Sequence, residues 1–454
     1  MNVDDLQWQL SHHGGVPREL VAALLERGCT ELVAEAARER GDWCCAEGVV
    51  RELCAAGEFG RAWEVVEPFA ATGWQPAVRV GADVLLRWGR IGRALELACP
   101  AEPAGDGFDE ARAWRDYAEV LIRAGGVEAA IEVLGRRLGN GWMFEALVEL
   151  TEGQGCDGPV LELLDRLAEE CRRDPERCGG RGPWAGLSAR ARVLARSGRE
   201  EEAIRLLGEA VAARRYESRN DVELYAGLLA RRGRIDELRE HAGTDTFAAL
   251  RPYVRGLEEA GRPGEAEAYL RGRIATSTYA GHYENALLEL LVRQGRFEDA
   301  VAAVAHTFDN LHDGNRLQSV LLLLAEHGLH ERALELTVGR SPEFHAENDE
   351  FWLRSNRWWL MGESGRSREA IAEIEALPPA EVHDRESTIA WLLARDGRLD
   401  EAIARLRPLL PGRGAARDLA GLLVRQGRDA EALAAVPGVA AQREEARNFW
   451  TRRG

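Results

Sequence analysis

The sequence predicts an all-α fold, a stack of about thirteen antiparallel helix hairpins, and three observations predict it. A short phrase recurs, as LLARRGRIDEL (228–238), LLVRQGRFEDA (290–300), LLARDGRLDEA (392–402) and LLVRQGRDAEA (422–432). Its glycine anchors thirteen units, at Gly28, Gly57, Gly89, Gly125, Gly155, Gly198, Gly233, Gly261, Gly295, Gly328, Gly365, Gly397 and Gly427, spaced 28 to 43 residues apart with a mean near 33. The residues around each anchor are constant in kind: apolar seven before it in every unit, Leu four before it in eleven, Ala five after it in ten.

Each unit follows from these positions. Offsets −7 and −4 fall on one face of a helix that runs into the glycine. Glycine there takes the left-handed conformation that closes a helix without a Cβ penalty. Acidic pairs such as Asp236-Glu237, Glu298-Asp299 and Asp400-Glu401 follow, placing negative charge in the first turn of a second helix. The small residue at +5 lets the second helix approach the first. A single hairpin cannot bury its apolar stripe, whereas a stack makes one continuous core.

A period near 34 residues, a small residue at −7, and Gly followed by Ala five residues later resemble the tetratricopeptide repeat (TPR) over roughly residues 16 to 440. Trp114, Ala118, Gly125 and Ala130 make the fullest match; the family's closing Pro is mostly missing. The resemblance implies a right-handed superhelical solenoid with a concave surface lined by the first helix of each hairpin. The expected organisation is an N-terminal segment (1–15), repeats at 16–170, a Pro/Gly/Arg-rich loop insertion or hinge at 171–186, repeats at 187–440, and a capping helix and tail at 441–454. The whole is expected to form one elongated ribbon.

Composition excludes several functions. The chain has 454 residues, 45% apolar and 30% charged, with 76 acidic against 59 basic residues and a net charge of −17. That balance argues against nucleic acid as a partner, since phosphate binding is largely electrostatic. No lysine occurs, which removes Schiff-base, P-loop and kinase-type lysine chemistry. The N-terminus lacks the cationic and apolar regions of a signal peptide, and no apolar run is long enough to span a membrane, so the chain is expected to be cytoplasmic. Its eight cysteines, all within the first 178 residues and none in a C-x-x-C, are expected to be small buried hydrophobes.

Candidate chemistry is sparse. Gly153-Gln154-Gly155-Cys156-Asp157-Gly158 has the spacing G-x-G-x-x-G, but a helical pattern precedes it where a dinucleotide site needs a strand. His306, Asp309 and Asp313 share a helical face, in a segment that reads as a polar connection and not as a metal site. No nucleophile elbow, zinc signature or EF-hand loop occurs, and the chain is expected to be neither an enzyme nor a cofactor binder.

The binding surface is expected on the stripe at −13, −10, −6 and −3 of each first helix. There stand Trp352, Trp359 and Trp391, with His282, Asn285, Asn315 and Gln318 in neighbouring units and Arg112 and Arg115 earlier. Trp buries a large area at low entropic cost, and Arg grips carboxylates bidentately. Packing of the tryptophans between helices, and Arg pairing with Glu119, Glu149 and Glu289, are the competing structural readings. The TPR clamp for a C-terminal carboxylate uses Lys and Asn, which are missing at the matching places. The function expected is a scaffold or adaptor that binds a protein, a peptide or a partner's helix, but no nucleic acid and no membrane. A regulatory sensor and an enzyme with an enclosed small-molecule pocket are the alternatives.

Overall fold

The structure, a computed structural model, describes residues 2–100, 108–139, 141–174, 186–213, 219–243, 247–305, 314–338, 350–382, 384–410 and 412–451. Among the described residues there are twenty-eight α-helices and no strand. Helix α1 (Val3–Ser11) leads in. The anchors then separate α2 (Arg18–Glu26) from α3 (Thr30–Arg40), α4 (Trp43–Ala55) from α5 (Phe59–Ala70), α6 (Gln75–Arg87) from α7 (Ile91–Ala98), and α8 (Phe108–Arg123) from α9 (Val127–Gly135). Next come α10 (Trp142–Leu150) and α11 (Asp157–Arg173), α12 (Leu187–Arg196) and α13 (Glu200–Ala212), then α14 (Arg219–Arg231) and α15 (Ile235–Ala242). They are followed by α16 (Leu250–Glu259) and α17 (Pro263–Thr276), α18 (Ala280–Arg293) and α19 (Phe297–Val304), and α20 (Gly314–Glu326) and α21 (His330–Leu336). The last are α22 (Glu350–Glu363) and α23 (Ser367–Ala376), α24 (Arg385–Arg395) and α25 (Leu399–Leu406), α26 (Arg413–Arg425) and α27 (Asp429–Ala435), and finally α28 (Val439–Thr451).

Every anchor glycine is left-handed, with φ between 67° and 87°. At twelve of the thirteen, the amide after the glycine donates to the carbonyl four residues before it, at 2.7–3.0 Å. This six-to-one bond satisfies a carbonyl that the ending helix leaves open. The exception is Gly155, where Thr151 replaces Leu and a second left-handed glycine, Gly153, loosens the turn. The dinucleotide-like spacing therefore belongs to an irregular connection between two helices. Just past many anchors an Arg–acid pair spans the turn, as in Arg199–Glu202, Arg234–Glu237 and Arg398–Glu401. These exposed pairs add little stability singly.

The core is built from the positions the periodicity marks. The residue at +5 is at most 1% exposed in all thirteen units, from Val33 to Ala432, and every −7 residue is buried. A small side chain at +5 therefore meets the floor between helices, where a larger one would separate them.

Contacts divide the chain into two compact units: Met1–Leu97 with Thr307–Gly454, and Ala98–His306. Helix α11 continues to Arg173, so residues 171–173 of the expected insertion are helical; residues 175–185 lie outside the described residues. Within the first unit, the two ends of the chain meet. Helix α2 packs on α26. Arg27 Nε donates to Asp429 Oδ1 at 2.9 Å, and Arg40 Nη1 to the carbonyls of Leu433 and Val436, each at 3.0 Å. The buried Gln442 amide accepts from Gly15 N–H at 3.0 Å and donates to its carbonyl at 3.1 Å. Arg443 pairs with Asp5. The expectation of an array whose last helix is a solvating cap does not hold for the ends: within the first unit α28 bonds to α1 and to Gly15, and the first and last repeats are neighbours.

The cysteines also require a correction. Cys29, Cys44, Cys45, Cys54, Cys99 and Cys156 are free, but Cys171 at the end of α11 is disulfide-bonded, and Cys99 is exposed. No helix among the described residues is long and apolar enough to cross a membrane.

Candidate functional site

The first-helix stripe has two characters. In the second unit it neutralises itself, because position −10 of one repeat lies beside position −6 of the next. Arg115 reaches Glu149 at 3.1 Å, Arg192 reaches Glu145 at 2.6 Å, and Arg251 reaches Glu289 at 2.5 Å. Each spans those two positions. The pairing of Arg with Glu149 and Glu289, the bland reading of the Arg stripe, is therefore present.

In the last three repeats the same positions hold Ser355 and Trp359, Ser387 and Trp391, and Arg417 and Gly421. With no acid at −6, the stripe becomes apolar and opens into a cleft of about 730 Å³. Trp359 and Trp391, both half-buried, form one side. Pro17, just before α2, and Leu20 and Ala23 within it form another, so the cleft is completed by the docked first repeat. Such a volume suits one or a few inserted side chains.

Trp391 is held from behind. A Cβ on Gly362 would lie 2.4 Å from its ring, so the indole lies directly on the backbone of α22. The Arg395 guanidinium stands 5.7 Å from the ring centroid and pairs with Glu363. Trp391 thus packs against α22 and also faces the cleft, which the half-buried Trp359 lines beside it.

The polar groups of the cleft are mostly committed. Arg425 Nη2 donates to the Ala394 carbonyl at 3.3 Å. Desolvation pushes the Asp418 carboxyl above its ordinary value, opposed by Arg417 and a hydrogen bond with Ser387. Arg417 makes no ion pair among the described residues and also lines an adjoining cavity of about 410 Å³. Its cross-repeat neighbour, by the register of the stripe, is position −6 of the first repeat, which is Ala22.

The remaining candidates lie elsewhere. Trp352, half-buried on α22, does not line the cleft, and Gln318 is half-buried on α20. Asn315 falls in α20, but its side chain lies outside the described residues. In the second unit, His282 is exposed and stacks on Phe247 at 4.2 Å, Asn285 and Arg112 are exposed, and Arg115 is paired with Glu149. His306, Asp309 and Asp313 lie outside the described residues. Among those described, no group of three or more His, Cys, Asp or Glu is placed to hold a metal.

Sequence reading found the two tryptophans and missed the rest of the cleft. The serines at −10 in two successive repeats, where most other units carry a charge or an amide, were the available signal.

No family model and no curated protein matches the sequence. Solved structures match in architecture. Naa15/Naa10 bound to HypK-THB is 14% identical over 89% of this chain and 71% of that chain, with a TM-score of 0.39. The APC/C hetero-tetramer Cut9–Hcn1 is 13% identical over 91% and 92%, with a TM-score of 0.23. The pentatricopeptide repeat protein PPR10 in complex with an 18-nt psaJ RNA element is 17% identical over 97% and 68%, with a TM-score of 0.34. The last corrects the exclusion of nucleic acid drawn from net charge, since it is a helical repeat protein in complex with RNA. These are likenesses to helical-repeat structures, and this chain is itself, among the described residues, an all-helical array of hairpins.

Proposed function

We propose that the array is a non-catalytic interaction scaffold and that its binding site is the cleft between α2, α22, α24 and α26. The ligand is a protein segment that inserts an apolar side chain against Trp359 and Trp391 and sets an acidic group at Arg417. One observation carries this reading: the stripe that is self-paired by Arg and Glu in the second unit becomes Ser and Trp here, leaving apolar surface beside Arg417, which makes no ion pair among the described residues. Half-exposed tryptophans beside an Arg are the residue types that dominate binding energy at interfaces.

The test is capture of partners from a nuclease-treated lysate of the source organism by the immobilised chain. One stoichiometric protein, lost from both Trp359→Ala and Trp391→Ala and weakened by Arg417→Ala, is expected. Full retention by both tryptophan variants, or capture that nuclease abolishes, overturns the reading.

A further inference from the structure

We propose that the joint between the first and last repeats is a general repeat-to-repeat interface, and that its two faces also fit a second copy of this chain head to tail. The argument starts from register. Between the repeats anchored at Gly198 and Gly233, Arg232, one residue before its glycine, meets Glu200, two residues after the preceding glycine, at 3.3 Å. Arg196 meets Asp157 in nearly the same way, at 2.8 Å, from two residues before Gly198 to two residues after Gly155. At the joint, Arg27 stands one residue before Gly28 and Asp429 two residues after Gly427, and they meet at 2.9 Å. The first repeat thus sits on the last as any repeat sits on its predecessor.

The remaining contacts hold the joint closed. Arg40 caps the open carbonyls at the end of α27, and Gln442 mimics a backbone pairing with Gly15. The two faces differ from each other, one from each end of the chain, so the interface is heterologous. A heterologous interface closed within one chain can equally close between two, and tethering alone favours the single chain. Tethering corresponds to an effective concentration on the order of millimolar. Weakening the joint within each chain, while leaving it intact between chains, should therefore produce dimers at roughly 0.1 mM protein.

Charge reversal separates the two cases. Arg27→Glu with Asp5→Arg in one chain sets like charges at both ion pairs of the joint, and Asp429→Arg with Arg443→Glu in the other does the same. Neither variant can form a matched joint with itself or with its own copies. An equimolar mixture can form two matched joints, one native and one reversed. Light scattering should show at least half of the mixed protein at twice the chain mass. Each variant alone, and the chain carrying all four changes, should stay at one chain mass. A mixture that remains at one chain mass overturns the proposal, and so does an equal dimer fraction in either variant alone.

Discussion

Two glycines in first helices of the last three repeats should respond to alanine with opposite signs. Gly362 lies buried in α22 with the Trp391 indole on its backbone; an added Cβ would be 2.4 and 2.5 Å from two ring carbons and 3.1 Å from Leu392 Cδ2. Gly421 lies exposed in α26, where an added Cβ meets nothing within 4 Å. Alanine in a helix interior gains about 0.5–1 kcal/mol over glycine. That gain is common to both sites. Overpacking costs roughly 1–3 kcal/mol and applies at Gly362 alone. Gly421→Ala should therefore stabilise its helix, and Gly362→Ala should fall about 1–3 kcal/mol below it. Native-state amide hydrogen exchange reads the difference locally, as protection in α22 and α24 that is lower by about 5- to 160-fold relative to that comparison. Equal stabilisation by both alanines would refute the placement of Trp391, and with it this wall of the cleft.

Two further outcomes follow from the first hairpins. Asp42 is buried at the N-terminus of α4, where it accepts from Val16 N–H at 2.7 Å and Cys45 N–H at 3.0 Å, and burial holds its carboxyl above the ordinary value of 3.8. The stability it contributes is fully present below that value and is lost as pH rises through the raised one. The urea-derived advantage of the native chain over Asp42→Asn should shrink as pH rises, and an advantage that grows with pH contradicts the burial. Burial, then Asp42, pushes the Cys44 thiol up to about 11 and raises Cys45 as well, while Cys99 is exposed. With about a thousandth of Cys44 ionised at pH 8, mass-mapped alkylation should mark Cys99 first; equal labelling of Cys45 contradicts the packing of α4.

What the sequence revealed is what is determined locally. A left-handed glycine, the carbonyl it helps to satisfy and the small residue at +5 are all encoded within a dozen residues, so the thirteen anchors were legible without coordinates. Trp359 and Trp391 were legible for the same reason, since both stand at −6 of their anchors. The wall supplied by Pro17 and Leu20 was not, because the residues that bring α2 to α26 are separated by some 400 positions. Nothing in the pattern of a single repeat says which repeat it will meet at the chain's end. Arg417 was not legible because its cross-repeat neighbour is Ala22, a residue in that distant first repeat. The disulfide at Cys171 was missed because the reading took compartment from the N-terminus and assigned every thiol accordingly.

The register of first repeat upon last can be tested with one reaction, because the chain has no lysine. Arg27→Lys introduces a single side-chain amine next to Asp429, which the Arg27 guanidinium meets at 2.9 Å. Carbodiimide treatment of the dilute protein, followed by peptide mapping, should yield an isopeptide link between positions 27 and 429 within one chain. Coupling confined to acids near position 27 in sequence, such as Glu26 and Glu31, with none at Asp429, would contradict the docking of the two ends.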